Sequence, residues 1–287
     1  MAMTVRRLYQ QVRERLKSGG IESYAAEARF LFEGVLGIDY QNILLCGELE
    51  ASARQEQLAY EAVEKRLTGY PLQYITGIWE FYSFPFEVGE GVLIPRPDTE
   101  ALCDVALRYL NRCDCGQPVV ADLCSGSGCL AVAISLKFEA AKVYAVEKYD
   151  AALTYLRRNV ALNKADVRIV KGDVLEGGFL EPAEPLDLIV CNPPYLTKED
   201  MEDLQTEVSY EPETALYGDE DGLLFYRAVA QQWLERLKPG GMLAFEIGMG
   251  QEEDVAGILG RNGYQNICTY RDVCGIIRVL TAQRPSR

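Results

Sequence analysis

A chain of 287 residues suits one domain of about 200 residues with a smaller companion. Its net charge of −14 argues against a protein that grips nucleic acid by its phosphates, because such proteins carry a basic stripe that supplies most of the affinity. With no histidine in the chain, Ser–His and Cys–His nucleophile systems, a histidine general base and most zinc enzymes are excluded.

The first residues, Met1-Ala-Met-Thr-Val-Arg-Arg-Leu, lack the apolar core of a signal peptide. Apolar runs such as Leu188–Cys191 and Met242–Phe245 fall far short of the roughly 20 residues that a membrane span needs. Nine cysteines without an export signal point to free thiols in a reducing cytosol. A cytoplasmic protein with no membrane association is therefore expected. Cys113-Asp-Cys115 has no second pair beside it, so it reads as a surface loop and no metal is expected.

Residues from about 4 to 70 read as helical. Val5, Leu8, Tyr9, Val12 and Leu16 recur at helical spacing until Gly19-Gly20 interrupts them. The interleaved Arg6, Arg7, Arg13, Arg15 and Lys17 read as the solvated face of that amphipathic helix. Further helices are expected over Ser23–Leu36, Tyr40–Leu45 and Ser52–Leu67, with Gly69 and Pro71 closing the region. From Tyr74 to Leu93 the aromatics Trp79, Phe81, Tyr82, Phe84 and Phe86 suggest a β-hairpin turning at Gly89-Glu90-Gly91. Asp98 is placed to cap a helix through Leu102, Val105 and Leu110, with Arg96 just ahead of it.

Beyond Gln117 strands and helices alternate. Strands are expected at Val119–Leu123, Lys142–Val146, Val167–Lys171, Leu186–Cys191 and Met242–Ile247. Helices are expected at Leu130–Phe138, Asp150–Asn163, Asp221–Leu237 and Gln251–Arg261. Such alternation predicts βαβ units and a mostly parallel sheet covered on both faces. The last two strands, Ile267–Arg271 and Ile276–Thr281, are too close together for a parallel crossover and must pair antiparallel.

The first of these strands ends in Ala121-Asp-Leu-Cys-Ser-Gly-Ser-Gly-Cys129. Its glycines let backbone approach a ligand at a helix N-terminus. Glu147, about twenty residues on, is placed to accept ribose hydroxyls. Together these say that an adenosine nucleoside binds at the switch point of an open α/β sheet. They do not separate NAD from S-adenosylmethionine, and Gly126-x-Gly128-x-x-Ala131 satisfies a relaxed dinucleotide pattern.

Asn192-Pro193-Pro194-Tyr195 follows a buried strand, at the sheet edge where ligands bind. An amide nitrogen is a poor nucleophile because its lone pair is delocalised. The Asn192 side-chain oxygen and the Pro193 carbonyl can accept its two N–H groups and aim the lone pair at an electrophile. The prolines stiffen the loop, and Tyr195 can pack flat on the planar group. Neither Asn nor Pro is a base, so such a site works by positioning. A methylated amide nitrogen is acidic enough to lose its proton to water.

Asp122-Leu-Cys-Ser-Gly-Ser-Gly, Glu147, Gly172-Asp173-Val174 and Asn192-Pro-Pro-Tyr, in this order, resemble a class I methyltransferase. Pro71-Leu-Gln-Tyr-Ile-Thr-Gly, Val92-Leu-Ile-Pro-Arg-Pro-Asp-Thr-Glu and Glu211-Pro-x-x-Ala-Leu-x-Gly-x-x-Asp-Gly-Leu-x-Phe-Tyr resemble the HemK-type release factor glutamine methyltransferases, and the likeness runs from about Leu8 to Thr281. The resemblance implies a Rossmann-like α/β methyltransferase domain over 95–287, a linking β-hairpin over 74–94 and a helical substrate-docking domain over 1–73. It implies an enzyme using S-adenosyl-L-methionine to methylate N5 of the glutamine in the Gly-Gly-Gln loop of class I peptide-chain release factors; a monomer is expected.

Carried over by position, Cys124, Ser125, Gly126, Ser127 and Gly128 underlie the methionine part of the cofactor. Glu147 would hold the ribose, Asp173 and Val174 the adenine, and Asn192, Pro193, Pro194 and Tyr195 the substrate glutamine. Phe81, Phe86 and Arg96 would line the cofactor side of the pocket. Two positions depart from the family pattern: Cys124 stands where glycine is usual, putting bulk beside the cofactor, and Asp98 stands where Glu is usual.

Other readings compete. A DNA adenine-N6 methyltransferase would suit the same Asn-Pro-Pro-Tyr site but needs a flipped base and a basic cleft, and an acidic protein fits a basic protein partner better. The glutamine could instead belong to a ribosomal protein. A non-catalytic nucleotide sensor would leave the intact Asn192 motif unexplained, and a dehydrogenase would need a catalytic acid that no residue convincingly supplies.

Overall fold

In the computed structural model, which describes residues 2–113, 116–176 and 184–286, the helical spacing of the first residues becomes α1 (Val5–Ser18). Thr4 caps it by accepting the Arg7 amide at 3.3 Å, a typical way to satisfy a free helix-start N–H. Its buried stripe is Val5, Leu8, Tyr9, Val12 and Leu16, while Arg6, Arg7, Arg15 and Lys17 are exposed. Next come α2 (Tyr24–Leu36), α3 (Tyr40–Cys46) and α4 (Ala53–Leu67). Ser52 and Gln55 form a capping box at the start of α4. Near its end, Arg66 is buried against Glu27 of α2, with Nε 2.6 Å from Oε2.

The reading of 74–93 as one hairpin is corrected. A short helix, α5 (Leu72–Thr76), follows Pro71. The two-stranded sheet is only β1 (Ile78–Phe81) with β2 (Phe84–Glu87). It turns at Tyr82-Ser83 and not at Gly89-Glu90-Gly91. Both turn residues have positive φ, +52° and +65°, the conformation that matches strand twist in two-residue hairpins and that favours Gly or Asn. Here the Tyr82 amide donates to Glu100 Oε1 at 2.8 Å, which anchors a turn built without glycine.

A 3-10 turn at Pro97–Thr99 leads into α6 (Glu100–Leu110). The expected capping by Asp98 does not occur: no side chain caps this start, and Asp98 instead pairs with Arg278 at 3.2 Å.

Then follow β3 (Val119–Leu123), α7 (Cys129–Lys137), β4 (Lys142–Glu147), α8 (Asp150–Asn163), β5 (Val167–Lys171), β6 (Leu186–Cys191), α9 (Lys198–Glu202), α10 (Leu224–Trp233), β7 (Leu237–Glu246), α11 (Glu252–Arg261), β8 (Gln265–Arg271) and β9 (Ile277–Gln283). The sheet order is β5-β4-β3-β6-β7-β9-β8. Pairing is parallel from β5 through β7, and β9 joins antiparallel to both β7 and β8. This is a Rossmann-like sheet with an antiparallel tail. β3 and β6 are buried along their whole length, as strands covered on both faces must be. One apolar layer packs α10 and α11 on the sheet, and the other packs α6, α7 and α8. β7 begins five residues before the expected Met242, because a 3-10 turn at Leu234–Arg236 ends the helix early and Leu237 pairs with Leu186.

Two compact units result: Met1–Trp79 with Val88–Glu90 and Gln205–Tyr210, and Glu80–Glu87 with Gly91–Leu204 and Glu211–Arg287. In the first, Glu207 also pairs with Arg66, so a segment distant in sequence belongs to the helical unit. Among the described residues no helix is long and apolar enough to cross a membrane. Among the described residues seven cysteines are free thiols. Cys113 is disulfide-bonded, contrary to the expectation of free thiols throughout, and Cys115 lies outside the described residues.

Candidate active site

The carboxyl ends of β3, β4 and β6 open into a cleft with about 930 Å³ of space in and around it, part of it open solvent at the mouth. The chain leaves β3 through Cys124 (φ +58°), Gly126 (φ +54°) and Gly128 (φ +82°) before entering α7. Ser125 pins the turn, its amide donating to the Val146 carbonyl at 3.0 Å and its hydroxyl to the Asp122 carbonyl at 2.7 Å. The two glycines differ in purpose. A Cβ at Gly128 would collide with the Leu156 side chain, whereas one at Gly126 would meet nothing within 4 Å. Gly126 thus borders open space, as a loop built for close approach of a ligand requires.

At the end of β4 the Glu147 carboxylate accepts three backbone amides: Gly126 at 2.9 Å on Oε2, and Lys148 and Tyr149 at 2.8 Å on Oε1. Burial raises its pKa, and these amides oppose the rise. Asp173 accepts the Leu175 amide at 2.9 Å and pairs with Lys148 at 2.6 Å. Asp122 is more deeply placed. Burial pushes its pKa up to about 8, Oδ2 accepts the Ala131 amide at 3.2 Å, and Oδ1 has no partner among the described residues.

Asn192 and Pro194 form the facing wall. Asn192 Nδ2 donates to Thr99 Oγ1 at 3.2 Å. The loop after it is held from outside: Gln251 Nε2 donates to the Tyr195 carbonyl at 3.1 Å, and Leu196 bridges to Tyr217. Burial raises the Tyr195 hydroxyl pKa to about 12. Glu211 accepts the Ile94 amide at 3.0 Å and pairs with Arg96, joining two of the sequence motifs across 115 positions.

Cys124, Ser125, Gly126, Ser127, Glu147, Asp173, Val174, Asn192 and Pro194 therefore line one cleft. Gly128, Pro193, Tyr195 and Arg96 are not on its wall; Gly128 packs on Leu156 and Arg96 is engaged by Glu211. The expectation for Phe81 and Phe86 is corrected. Both point into the core beneath α6 and α7, with rings 6.2 Å apart and edge-on, because strand alternation turns them inward. The Cys124 side chain lines the cleft and also packs against the α10–α11 layer.

Family models match in two places: a PrmC N-terminal domain over residues 7–77 and a methyltransferase small domain over residues 106–241. The release factor glutamine methyltransferase of Geobacter sulfurreducens is 37% identical over 280 residues, covering 96% of this chain and 95% of that protein. The chain belongs to the release factor glutamine methyltransferase family. The enzyme of that name from Moorella thermoacetica is 35% identical over 285 residues, covering 98% of this chain and 99% of that one. In fold, this methyltransferase resembles a solved methyltransferase from Pyrococcus furiosus (TM-score 0.51, 18% identity, 82% of this chain and 100% of that one). S-adenosyl-L-methionine is the cofactor of this family member, and the dehydrogenase and nucleotide-sensor readings fall away.

Sequence reasoning missed the supports of this methyltransferase's site. Thr99, Glu246 and Gln251 sit outside the glycine loop and the Asn192 motif; Thr99 lies within the Val92–Glu100 motif, where only Arg96 and Asp98 were singled out, and no local spacing marks the other two. Thr99 and Gln251 act through partners 93 and 56 positions away.

Proposed function

We propose that this methyltransferase moves the sulfonium methyl of S-adenosyl-L-methionine onto N5 of the glutamine in the Gly-Gly-Gln loop of class I peptide-chain release factors. The observation that carries the reading is Asn192 on the wall of the same cleft as Glu147 and the glycine loop. An amide-recognising side chain thereby shares a cleft with the glycine loop and the ribose-binding carboxylate.

Bound there, the cofactor supplies an electrophilic methyl on a positively charged sulfur. Glu147, already organised by three backbone amides, accepts the ribose hydroxyls. Asp173 and Val174 border the adenine, and Cys124, Ser125, Gly126 and Ser127 border the methionine portion. The open space at Gly126 fits such a ligand. Asn192 Oδ1 and the Pro193 carbonyl accept the two N–H groups of the substrate amide, and Tyr195 packs on its plane. These acceptors pull the hydrogens out of the amide plane and direct the nitrogen lone pair. Water takes the proton afterwards.

Residues 1–73 serve as the docking domain for the protein substrate. That unit exposes Leu44 (56%), Leu45 (83%) and Leu49 (64%), apolar side chains that a partner can cover. The protein works as a cytoplasmic monomer and grips no nucleic acid directly.

A methyl-transfer assay with labelled S-adenosyl-L-methionine tests the reading. The acceptors are release factor, the same factor with its Gly-Gly-Gln glutamine replaced, ribosomal protein and duplex DNA. Label on intact release factor alone is expected; label on DNA or ribosomal protein instead overturns the substrate assignment.

A further inference from the structure

Asn192 can accept a substrate N–H only with its amide oxygen turned to the cleft. A primary amide has donor and acceptor ends of nearly equal size, so packing alone does not choose between its two flipped orientations. The choice is made behind the residue. Asn192 Nδ2 donates to Thr99 Oγ1 at 3.2 Å, leaving the Oδ1 end for the cleft that Asn192 lines. Thr99 is 2% exposed, and its side chain lies near the Glu246 carboxyl and favours its charged form. A hydroxyl owns one proton. Spent on a carboxylate, that proton leaves only lone pairs toward Asn192, which then must present its NH₂.

Glu246 is well placed for this. Cys191 pairs with Phe245 across β6 and β7, so Asn192 and Glu246 leave adjacent strand ends side by side. Glu246 is 2% exposed, and its Oε2 has no hydrogen-bond partner among the described residues. A buried carboxyl held this sparsely costs stability, so a role beyond packing accounts for its presence.

We infer that Thr99 and Glu246 are positioning residues for methyl transfer: Glu246 takes the Thr99 proton, and Thr99 so oriented holds Asn192 with its amide oxygen toward the substrate glutamine. The inference rests on reading Asn192 as the acceptor for that amide.

The arrangement responds to pH. A protonated Glu246 becomes the donor to Thr99, whose own proton then turns to Asn192 and favours the flipped amide. The flipped amide would set NH₂ against the substrate NH₂. Burial raises the Glu246 pKa to about 7, so this change falls near neutrality. The groups facing Glu246 are Arg278 of β9, Arg96 and Asp98 ahead of α6, Tyr195, Tyr226 of α10, Cys129 of α7 and Cys191 of β6.

The test uses full-length enzyme and release factor, with kcat, KM and cofactor affinity measured from pH 5.5 to 9. Thr99→Val keeps the shape and removes the hydroxyl. It is expected to lower kcat about 10- to 100-fold, the scale of losing one preorganised hydrogen bond, with KM and cofactor Kd nearly unchanged. Thr99→Ser is expected to restore most of kcat. Wild-type kcat is expected to fall below about pH 7, and Glu246→Gln to lack that acid limb. Normal kcat in Thr99→Val, no rescue by Ser, or a persisting acid limb in Glu246→Gln overturns the inference, and if Val folds poorly the Ser and Gln variants still decide. Loss of activity in Asn192→Ala with normal Thr99→Val sinks this inference alone, whereas normal turnover in Asn192→Ala sinks the reading beneath it.

Discussion

The Gly126 amide donates to Glu147 Oε2 at 2.9 Å, so the cofactor loop after β3 is tied to the carboxylate at the end of β4. Gln at 147 keeps the shape but replaces a charged acceptor of three amides with a neutral group that also donates. Charge-assisted hydrogen bonds contribute about 1.5–3 kcal/mol each. Glu147→Gln is expected to weaken S-adenosyl-L-methionine binding by about 10- to 100-fold, measured by calorimetric titration. Unchanged affinity would remove Glu147 from the ribose site.

Asn192→Ala deletes the amide while leaving the β6 backbone and the cofactor walls in place. Turnover is expected to fall by about 100-fold or more, with cofactor Kd within about twofold of wild type. Single-turnover methylation of release factor separates the two effects.

Gly218 lies against the Asn192 loop. A Cβ there would sit 2.7 Å from the Pro194 carbonyl oxygen and 2.8 Å from Tyr195 Cα, and backbone cannot yield cheaply. Gly218→Ala should therefore displace the Pro194–Tyr195 backbone, at about 1–3 kcal/mol for overpacking. Turnover should drop at least tenfold while cofactor affinity holds. A variant as active as wild type would show that the loop tolerates the shift.

In the helical unit, Arg66 neutralises Glu27, which is 7% exposed. Arg66→Ala strands that carboxylate without a cation, a change that costs about 3–5 kcal/mol when a buried pair is broken. Urea denaturation should show the loss.

Asp122 keeps its proton in the folded protein up to about pH 8, whereas an unfolded Asp ionises near pH 3.9. Folding is therefore favoured most below pH 4, and this contribution is lost as pH rises through 8. Glu147, Cys129 and Cys191 face Asp122. Asn at 122 does not titrate. Relative to wild type, Asp122→Asn should gain stability on the order of 1–3 kcal/mol between pH 5 and pH 8, read from denaturant midpoints. A difference that stays flat with pH would mean that Asp122 is ionised in the folded state.

The sequence alone determined much of the scaffold. Strand and helix periods report which side of an element is buried, and that placed β3 to β6 and α8 within a residue or two. The short link between Arg271 and Ile277 forced an antiparallel tail. Motifs at strand ends fall at the sheet's ligand edge by chain geometry, so the positions of Asn192, Glu147 and the glycine loop at that edge were legible in the sequence. Tertiary structure decided what depends on partners far along the chain. It turned Phe81 and Phe86 into the core, bent the hairpin at Tyr82-Ser83, and gave Asp98 to Arg278. It also set Glu211 on Arg96 and Thr99 behind Asn192. Periodicity carries no trace of such pairs, because a hydrogen bond between residues 93 positions apart constrains neither neighbour's local pattern.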